Sequence, residues 1–204
     1  MKIGVFGGRF DPIHFGHLLL AESALRECEL DRIIFVPTGV SPHKDNNNVV
    51  SGEYRIEMTN LAISGYEEYS SSRFEIDSKE ISYTVNTLRH FKETMLDSEL
   101  YLILGADMFN YLPHWCETAE ICRLATPIVA CRAGFPAPYF ESLSQFVPHK
   151  RLETFHRFVV QMPQIELSST QIRHRVAEGK SIRFQVPRSV EAYIHSYKLY
   201  RCED

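Results

Sequence analysis

Long apolar runs are missing from this 204-residue chain: the longest, Leu100 to Leu104, falls far short of the roughly 20 residues that span a bilayer. The opening residues lack a charged-then-apolar leader, so neither a membrane-spanning nor a secreted protein is expected, and the cytoplasm is the expected compartment. The five cysteines are odd in number and show no C-x-x-C spacing. That argues against a disulfide framework or a zinc site and for reduced, partly buried thiols. A basic stripe is also missing. The 22 Lys and Arg residues are scattered among 26 acidic ones, the net charge is -4 and the pI is about 6.1, so polymeric nucleic acid is not an expected partner. There is no internal repeat or low-complexity tract. What is present is an ordinary globular composition, 44% hydrophobic and 24% charged, with a mean hydropathy of -0.21. Such a chain can bury a core without metals or disulfides. One compact domain over residues 1–204 is expected, as a monomer or small homo-oligomer.

Hydrophobic periodicity predicts sustained strand and helix alternation. Lys2 to Phe6 reads as a strand followed by Gly7-Gly8, and a helical pattern begins at His17 with Leu18, Ala21, Leu25 and Cys28 inward. Arg32 to Val36, Leu100 to Leu104 and Pro127 to Arg132 are apolar runs of the kind buried on both faces of a parallel sheet. Phe74 and Ile76 alternate as a short strand. Phe158 to Gln161 and Gln164 to Leu167 are further strand candidates. Helices are expected at Ser51 to Ser64, Thr84 to Met95, Glu117 to Leu124 and Ser169 to Gly179, and at Pro187 to Tyr197 with the proline in its first turn. Gly134 to Lys150, with three prolines and four aromatics, reads as an excursion loop with at most a short helix. The fold class this predicts is α/β: a Rossmann-like, doubly wound parallel sheet with helices on both faces over residues 1–167. A small helical part over 168–204 completes it, and sites lie beyond the strands' carboxyl ends.

The first strand-to-helix turn reads Gly7-Gly8-Arg9-Phe10-Asp11-Pro12-Ile13-His14-Phe15-Gly16-His17. Neither G-x-G-x-x-G nor G-x-x-x-x-G-K-[ST] occurs in it. Its glycines still allow close backbone approach, and a helix start offers unpaired N–H groups to an anion. Imidazoles at that position can donate to phosphoryl oxygens as charge builds. Taken alone, the H-x-x-H spacing of His14 and His17 favours loop and core histidines, or a pair of metal ligands, over phosphate donors. Lys44 stands in a proline-bracketed loop where an ammonium could fold over a triphosphate or simply be solvated. Ser168-Ser169-Thr170 with Arg173 one turn on could hold a phosphate, or be a plain cap with a surface arginine. Tyr83-Thr84 opens a helix that could receive a small carboxylate, and Trp115 offers a flat face to a pyridinium ring. The bland readings are a helix cap and a core aromatic. Asp107 likewise reads as a strand-end ligand or another cap.

The undecapeptide resembles the nucleotidyltransferase superfamily, whose G-x-F-D-P-x-H-x-G-H stretch binds ATP phosphates. Further segments narrow the resemblance. Pro37 to Lys44 looks like P-x-x-x-P-P-H-K, Ser82 to Leu88 like S-Y-T-x-D-T-L, and Gly105-Ala106-Asp107 with Leu112 and Trp115 like G-A-D-x-x-x-x-L-x-x-W. With Ser168 to Arg173 added, the set is similar to the bacterial nicotinate-nucleotide adenylyltransferase family from Lys2 to about Tyr200, thinning between Gly134 and Gln164. Three positions depart from the pattern: Arg9 stands for a small hydroxyl residue, Ser41 for a proline and Asn86 for an aspartate. The resemblance implies ATP, carried with Mg2+, and nicotinate mononucleotide as partners, and an enzyme of NAD biosynthesis. It implies that Gly7, Gly8, Phe10, His14, Gly16, His17, Lys44, Gly105, Asp107, Ser169 and Arg173 serve ATP. His14, His17, Lys44 and Arg173 would be catalytic. Tyr83, Thr84, Trp115 and the N–H of Cys116 would hold the acid form of the pyridine nucleotide, and no protein-held metal is implied. Adenylyl transfer to nicotinamide mononucleotide or to pantetheine phosphate, and nucleotide sensing without turnover, are the rival expectations.

Overall fold

A computed structural model of the chain describes residues 1–40, 50–132, 137–163 and 165–201. Six parallel strands form one sheet in the order β3-β2-β1-β4-β5-β6. They are β1 (Lys2–Gly8), β2 (Arg32–Pro37), β3 (Tyr69–Ser71), β4 (Glu99–Gly105), β5 (Ala125–Arg132) and β6 (Val159–Met162). Along β1, Ile3 and Val5 enter one core layer while Phe6 enters the other. In β2, Ile34 and Val36 are divided in the same way from Ile33 and Phe35, and in β4, Leu102 and Leu104 from Tyr101 and Ile103. Both faces of these strands are covered, which is why their sequences are apolar without a polar alternation. The helices are α1 (Phe15–Glu27), α2 (Gly52–Ile63), α3 (Phe74–Asp77), α4 (Thr84–Thr94), α5 (Ala106–Tyr111), α6 (Thr118–Leu124), α7 (His149–Phe155), α8 (Ser169–Ala177) and α9 (Arg188–Ser196). No described helix is long and apolar enough to cross a membrane.

The chain winds outward from β1 through β2 to β3, then returns to lay β4 on the other side of β1. The crevice of such a sheet opens where the winding reverses, beyond the carboxyl ends of β1 and β4.

Four expectations are corrected. Phe74 and Ile76 do not form a strand: they lie in α3, with Phe74 stacked on His90 at 4.2 Å between ring centroids. The third strand is instead Tyr69–Ser71, an edge strand too short and polar to show a period, paired through Ile33↔Tyr69. Residues 165–168 are irregular, because Pro163 follows β6 and cannot donate to a ladder. Gln164 lies outside the described residues. Pro187 is the cap before α9 rather than part of its first turn, with ψ 147°. Helix α1 starts at Phe15, two residues earlier than the apolar stripe suggests, since that stripe begins only where side chains reach the core. The excursion contains a short 3-10 turn at Phe140–Leu143 and leads into α7, whose Leu152 and Phe155 are buried. At the end of the chain, α9 packs on α2, with the Ser189 hydroxyl donating to the Leu61 carbonyl at 3.0 Å.

Candidate active site

The turn leaving β1 is built tightly. A Cβ on Gly8 would stand 2.8 Å from the Phe10 ring, and Phe10 itself takes a left-handed φ of 48° that turns its side chain inward. That ring is 1% exposed, edge-on to Phe6 and His17. The Phe10 ring therefore supports the turn from the core, which leaves its backbone as the part that can face a ligand. His14 caps α1, and its backbone N–H donates to Nδ1 of His17 at 3.3 Å. The two imidazoles stack, centroids 3.7 Å apart. With Nδ1 of His17 accepting, the neutral ring carries its proton on Nε2, which makes that nitrogen a donor.

Helix α8 closes on the same turn from the far end of the chain. Ser168 caps it, accepting from the Gln171 N–H. The Ser169 hydroxyl donates to the Pro12 carbonyl at 2.9 Å, and Nη1 of Arg173 donates to the Asp11 carbonyl at 2.8 Å. The Asp11 carboxylate is fully buried. Tyr200 donates to its Oδ1 at 2.7 Å, and Arg173 stands 3.8 Å from its Oδ2. Burial raises the Asp11 pKa; the Tyr200 bond opposes this, followed by the charges of Arg173, Arg55 and Arg9. Arg55, also buried, donates through Nε to the Val50 carbonyl and through Nη1 to that of Arg9. Burial lowers its pKa, with Asp11 the largest opposing charge.

Beside the turn lies a cavity of about 450 Å³. Its floor is the apolar surface of Val5, Val36, Leu102 and Leu104, and Gly7, Gly8 and Arg9 also line it. Tyr83, Thr84, Trp115 and Cys116 line it as well, so the four expected pyridine contacts share one space. Tyr83 caps α4 and Thr84 is its first residue, which puts the Thr84 hydroxyl and the helix's free N–H groups together. Trp115 follows the 3-10 turn Leu112–His114, and its indole N–H is buried without a protein acceptor. Beneath them sits Glu75. The Thr87 hydroxyl donates to its Oε1 at 2.6 Å, and burial raises its pKa against the hydrogen bonds of Thr87, Ser82 and the Gly39 N–H. Gly39 is required there, because a Cβ would stand 2.0 Å from the Glu75 carbonyl oxygen.

Of the expected residues, Gly7, Gly8, His14, Gly16, His17, Ser169 and Arg173 gather at the turn. Gly105 caps α5 and Asp107 lies exposed in its first turn, off the cavity wall, where Met108 and Tyr111 stand instead. Lys44, with Ser41, lies outside the described residues. Arg55, Glu75 and Tyr200 were not singled out from the sequence. Arg55 sits among the apolar positions of α2, Glu75 looked like the solvent side of a strand, and Tyr200 is separated from its partner by 189 positions. Among the described residues no three His, Cys, Asp or Glu side chains converge as a cation cage.

Fold and site together define an α/β nucleotide-binding protein with a glycine-rich turn after its first strand and a histidine capping the helix that follows. The chain belongs to the cytidylyltransferase-like family, whose profile matches residues 5–175, and within it to the nicotinate-nucleotide adenylyltransferases. It is 38% identical over 199 residues to a probable nicotinate-nucleotide adenylyltransferase of Rhodopirellula baltica, covering 98% of this chain and 93% of that protein. The corresponding protein of Desulfitobacterium hafniense is 43% identical over 201 residues, with 98% and 96% covered. That of Thermus thermophilus is 40% identical, with 98% and 100% covered. The fold matches the Plasmodium falciparum nicotinic acid mononucleotide adenylyltransferase complexed with NaAD, with a TM-score of 0.73 at 20% identity over 98% of this chain and 97% of that one.

Proposed function

We propose that the chain transfers the adenylyl group of ATP to nicotinate mononucleotide, releasing pyrophosphate and forming nicotinic acid adenine dinucleotide for NAD biosynthesis. One observation carries this reading: the cavity joins Gly7, Gly8 and Arg9, the start of the turn that runs on to His14 and His17, to a wall made of Thr84, Trp115 and Cys116. The acceptor's phosphate monoester has a second pKa of about 6 and is largely dianionic near neutrality, so its oxygen needs no strong general base. That oxygen attacks the α-phosphorus in line as the bond to the β-phosphate's bridging oxygen breaks. The protein's task is then alignment and charge stabilisation. His17, donating through Nε2, with His14 stacked on it, meets the charge developing on the phosphate oxygens. Arg173 and Lys44 take the departing pyrophosphate, and Ser169 holds the turn in register. Magnesium carried by the triphosphate would supply further charge neutralisation there, brought with the substrate rather than held by a side-chain cluster of the described residues.

The pyridine carboxylate is received by the Thr84 hydroxyl, the N-terminal N–H groups of α4 and the N–H of Cys116, with Trp115 against the ring. A site that pairs these donors rejects an analogue lacking the charge. Pyrophosphate release with ATP, magnesium and a panel of acceptors tests the reading: nicotinate mononucleotide is expected to turn over, ahead of its amide and of pantetheine phosphate. Binding without release would instead identify a nucleotide sensor. Thr84→Ala is expected to raise the KM for the mononucleotide about tenfold, the scale of one lost charge-assisted bond, and that for ATP much less. Equal effects on both would remove Thr84 from the pyridine wall.

A further inference from the structure

Arg9 is one of the chain's three departures from the family pattern, standing for a small hydroxyl residue, and it lines the cavity together with the glycine pair and the pyridine wall. Two cations are found among the described residues of that lining, Arg9 and Arg55. Arg55 is 4% exposed, and its Nε and Nη1 are occupied by the Val50 and Arg9 carbonyls at 3.0 and 2.9 Å. The second of these bonds fixes the backbone of Arg9. Arg9 itself is half-buried, on a turn braced by Phe10 beneath Gly8 and by α8 at Asp11 and Pro12.

We propose that Arg9 is a specificity-determining residue that binds the phosphate monoester of the acceptor mononucleotide. The assignment rests on the reading above and names the residue that this chain adds to it. An acceptor whose ring lies against Trp115 must carry its phosphate across the cavity to the histidine turn, and that path runs along Gly7, Gly8 and Arg9. The floor beneath is apolar, and the Glu75 carboxyl lies in the same lining, so a dianion there requires a cation beside it. A guanidinium meets two phosphate oxygens with two parallel N–H bonds, which a hydroxyl cannot do. The third oxygen stays directed at the α-phosphorus and forms the new bond as pyrophosphate leaves. Arg9 neither gives nor takes a proton in that step. A neutral acceptor lacking the phosphate gains nothing from Arg9, so the residue separates nucleotide from nucleoside.

Titration calorimetry of the wild type and of Arg9→Ser with nicotinate mononucleotide and with its nucleoside, nicotinate riboside, tests the assignment. Arg9→Ser is expected to weaken the mononucleotide about 10- to 100-fold, the range of a lost charged bidentate contact, and to leave the nucleoside unchanged. Arg9→Lys, which keeps the charge without the fork, is expected to fall between. The KM for ATP should move less than that for the mononucleotide, with the melting temperature preserved as a folding control. Equal losses for nucleotide and nucleoside, or a larger loss for ATP, would overturn the role of Arg9 while leaving the adenylyltransferase reading intact. A wild type that binds neither pyridine ligand would overturn both.

Discussion

His17 shows how a side chain proposed for chemistry can also serve local structure. Its Nδ1 accepts the N–H that opens α1, its ring packs edge-on against Phe10 at 5.0 Å and stacks on His14, and these contacts fix both its orientation and its tautomer. His17→Ala removes one shared backbone bond but also the donor that strengthens as charge builds. Turnover is therefore expected to fall about 10²- to 10³-fold, the cost of one transition-state donor, with circular dichroism and the mononucleotide KM near wild type. Turnover within a few-fold of wild type would take His17 out of the mechanism. The motif made both histidines legible from sequence, because they are three positions apart on one helix start. The roles of Phe10 and Arg55 were not legible, since a residue's direction off a turn or a helix depends on backbone angles and on neighbours far along the chain. The cysteines behave as composition suggested: the four in described segments are free, and burial pushes the thiols of Cys28 and Cys122 up to about 11 and about 12, which leaves them unreactive.

Among the elements, the join between the end of β2 and α4 is made through α3. Glu75 on α3 takes the Thr87 hydroxyl of α4 and the N–H of Gly39 just past β2, so one buried carboxylate ties three elements behind the pyridine wall. Its pKa is raised in the folded state. Folding therefore favours its protonated form, and its contribution to stability is lost as pH climbs from the ordinary glutamate range through the raised value. Glu75→Gln cannot ionise and keeps an oxygen for Thr87. Its melting temperature relative to wild type is expected to rise with pH by about 2–4 °C, the shift that 1 kcal/mol produces in a chain of this size. A difference that stays flat between acid and neutral pH would show that Glu75 titrates normally. This join explains why the strand expectation at Phe74 and Ile76 failed. Two apolar residues flanking a glutamate imitate a half-buried strand, whereas here the glutamate also points inward. The central strands were easy to read for the opposite reason, since burial on both faces leaves unbroken apolar runs.

At the scale of the whole molecule, the order β3-β2-β1-β4-β5-β6 brings the carboxyl ends of β1 and β4 together, and Gly7, Gly8 and Leu104 from those ends line the cavity. The alternation of elements made that topology legible. It did not reveal that the last helical part reaches back to the first turn, because partners 189 positions apart leave no local pattern. Tyr200→Phe deletes the donor to Asp11 and leaves a buried carboxylate oxygen unpaired, an expected loss of about 1–3 kcal/mol. Thermal melts should record that loss, and the KM for ATP should rise more than that for the mononucleotide, because Asp11 lies in the turn proposed to bind the ATP phosphates. An unchanged melting temperature would mean that Asp11 finds another donor.

The hydrogen bond between Tyr200 and Asp11 also sets an order of events during synthesis. The opening strand and its turn are translated 189 positions before the residue that closes on them, so the buried Asp11 carboxyl waits for a phenol the ribosome has yet to add. The support of the first turn is thus supplied late, by a segment made after the sheet that carries it.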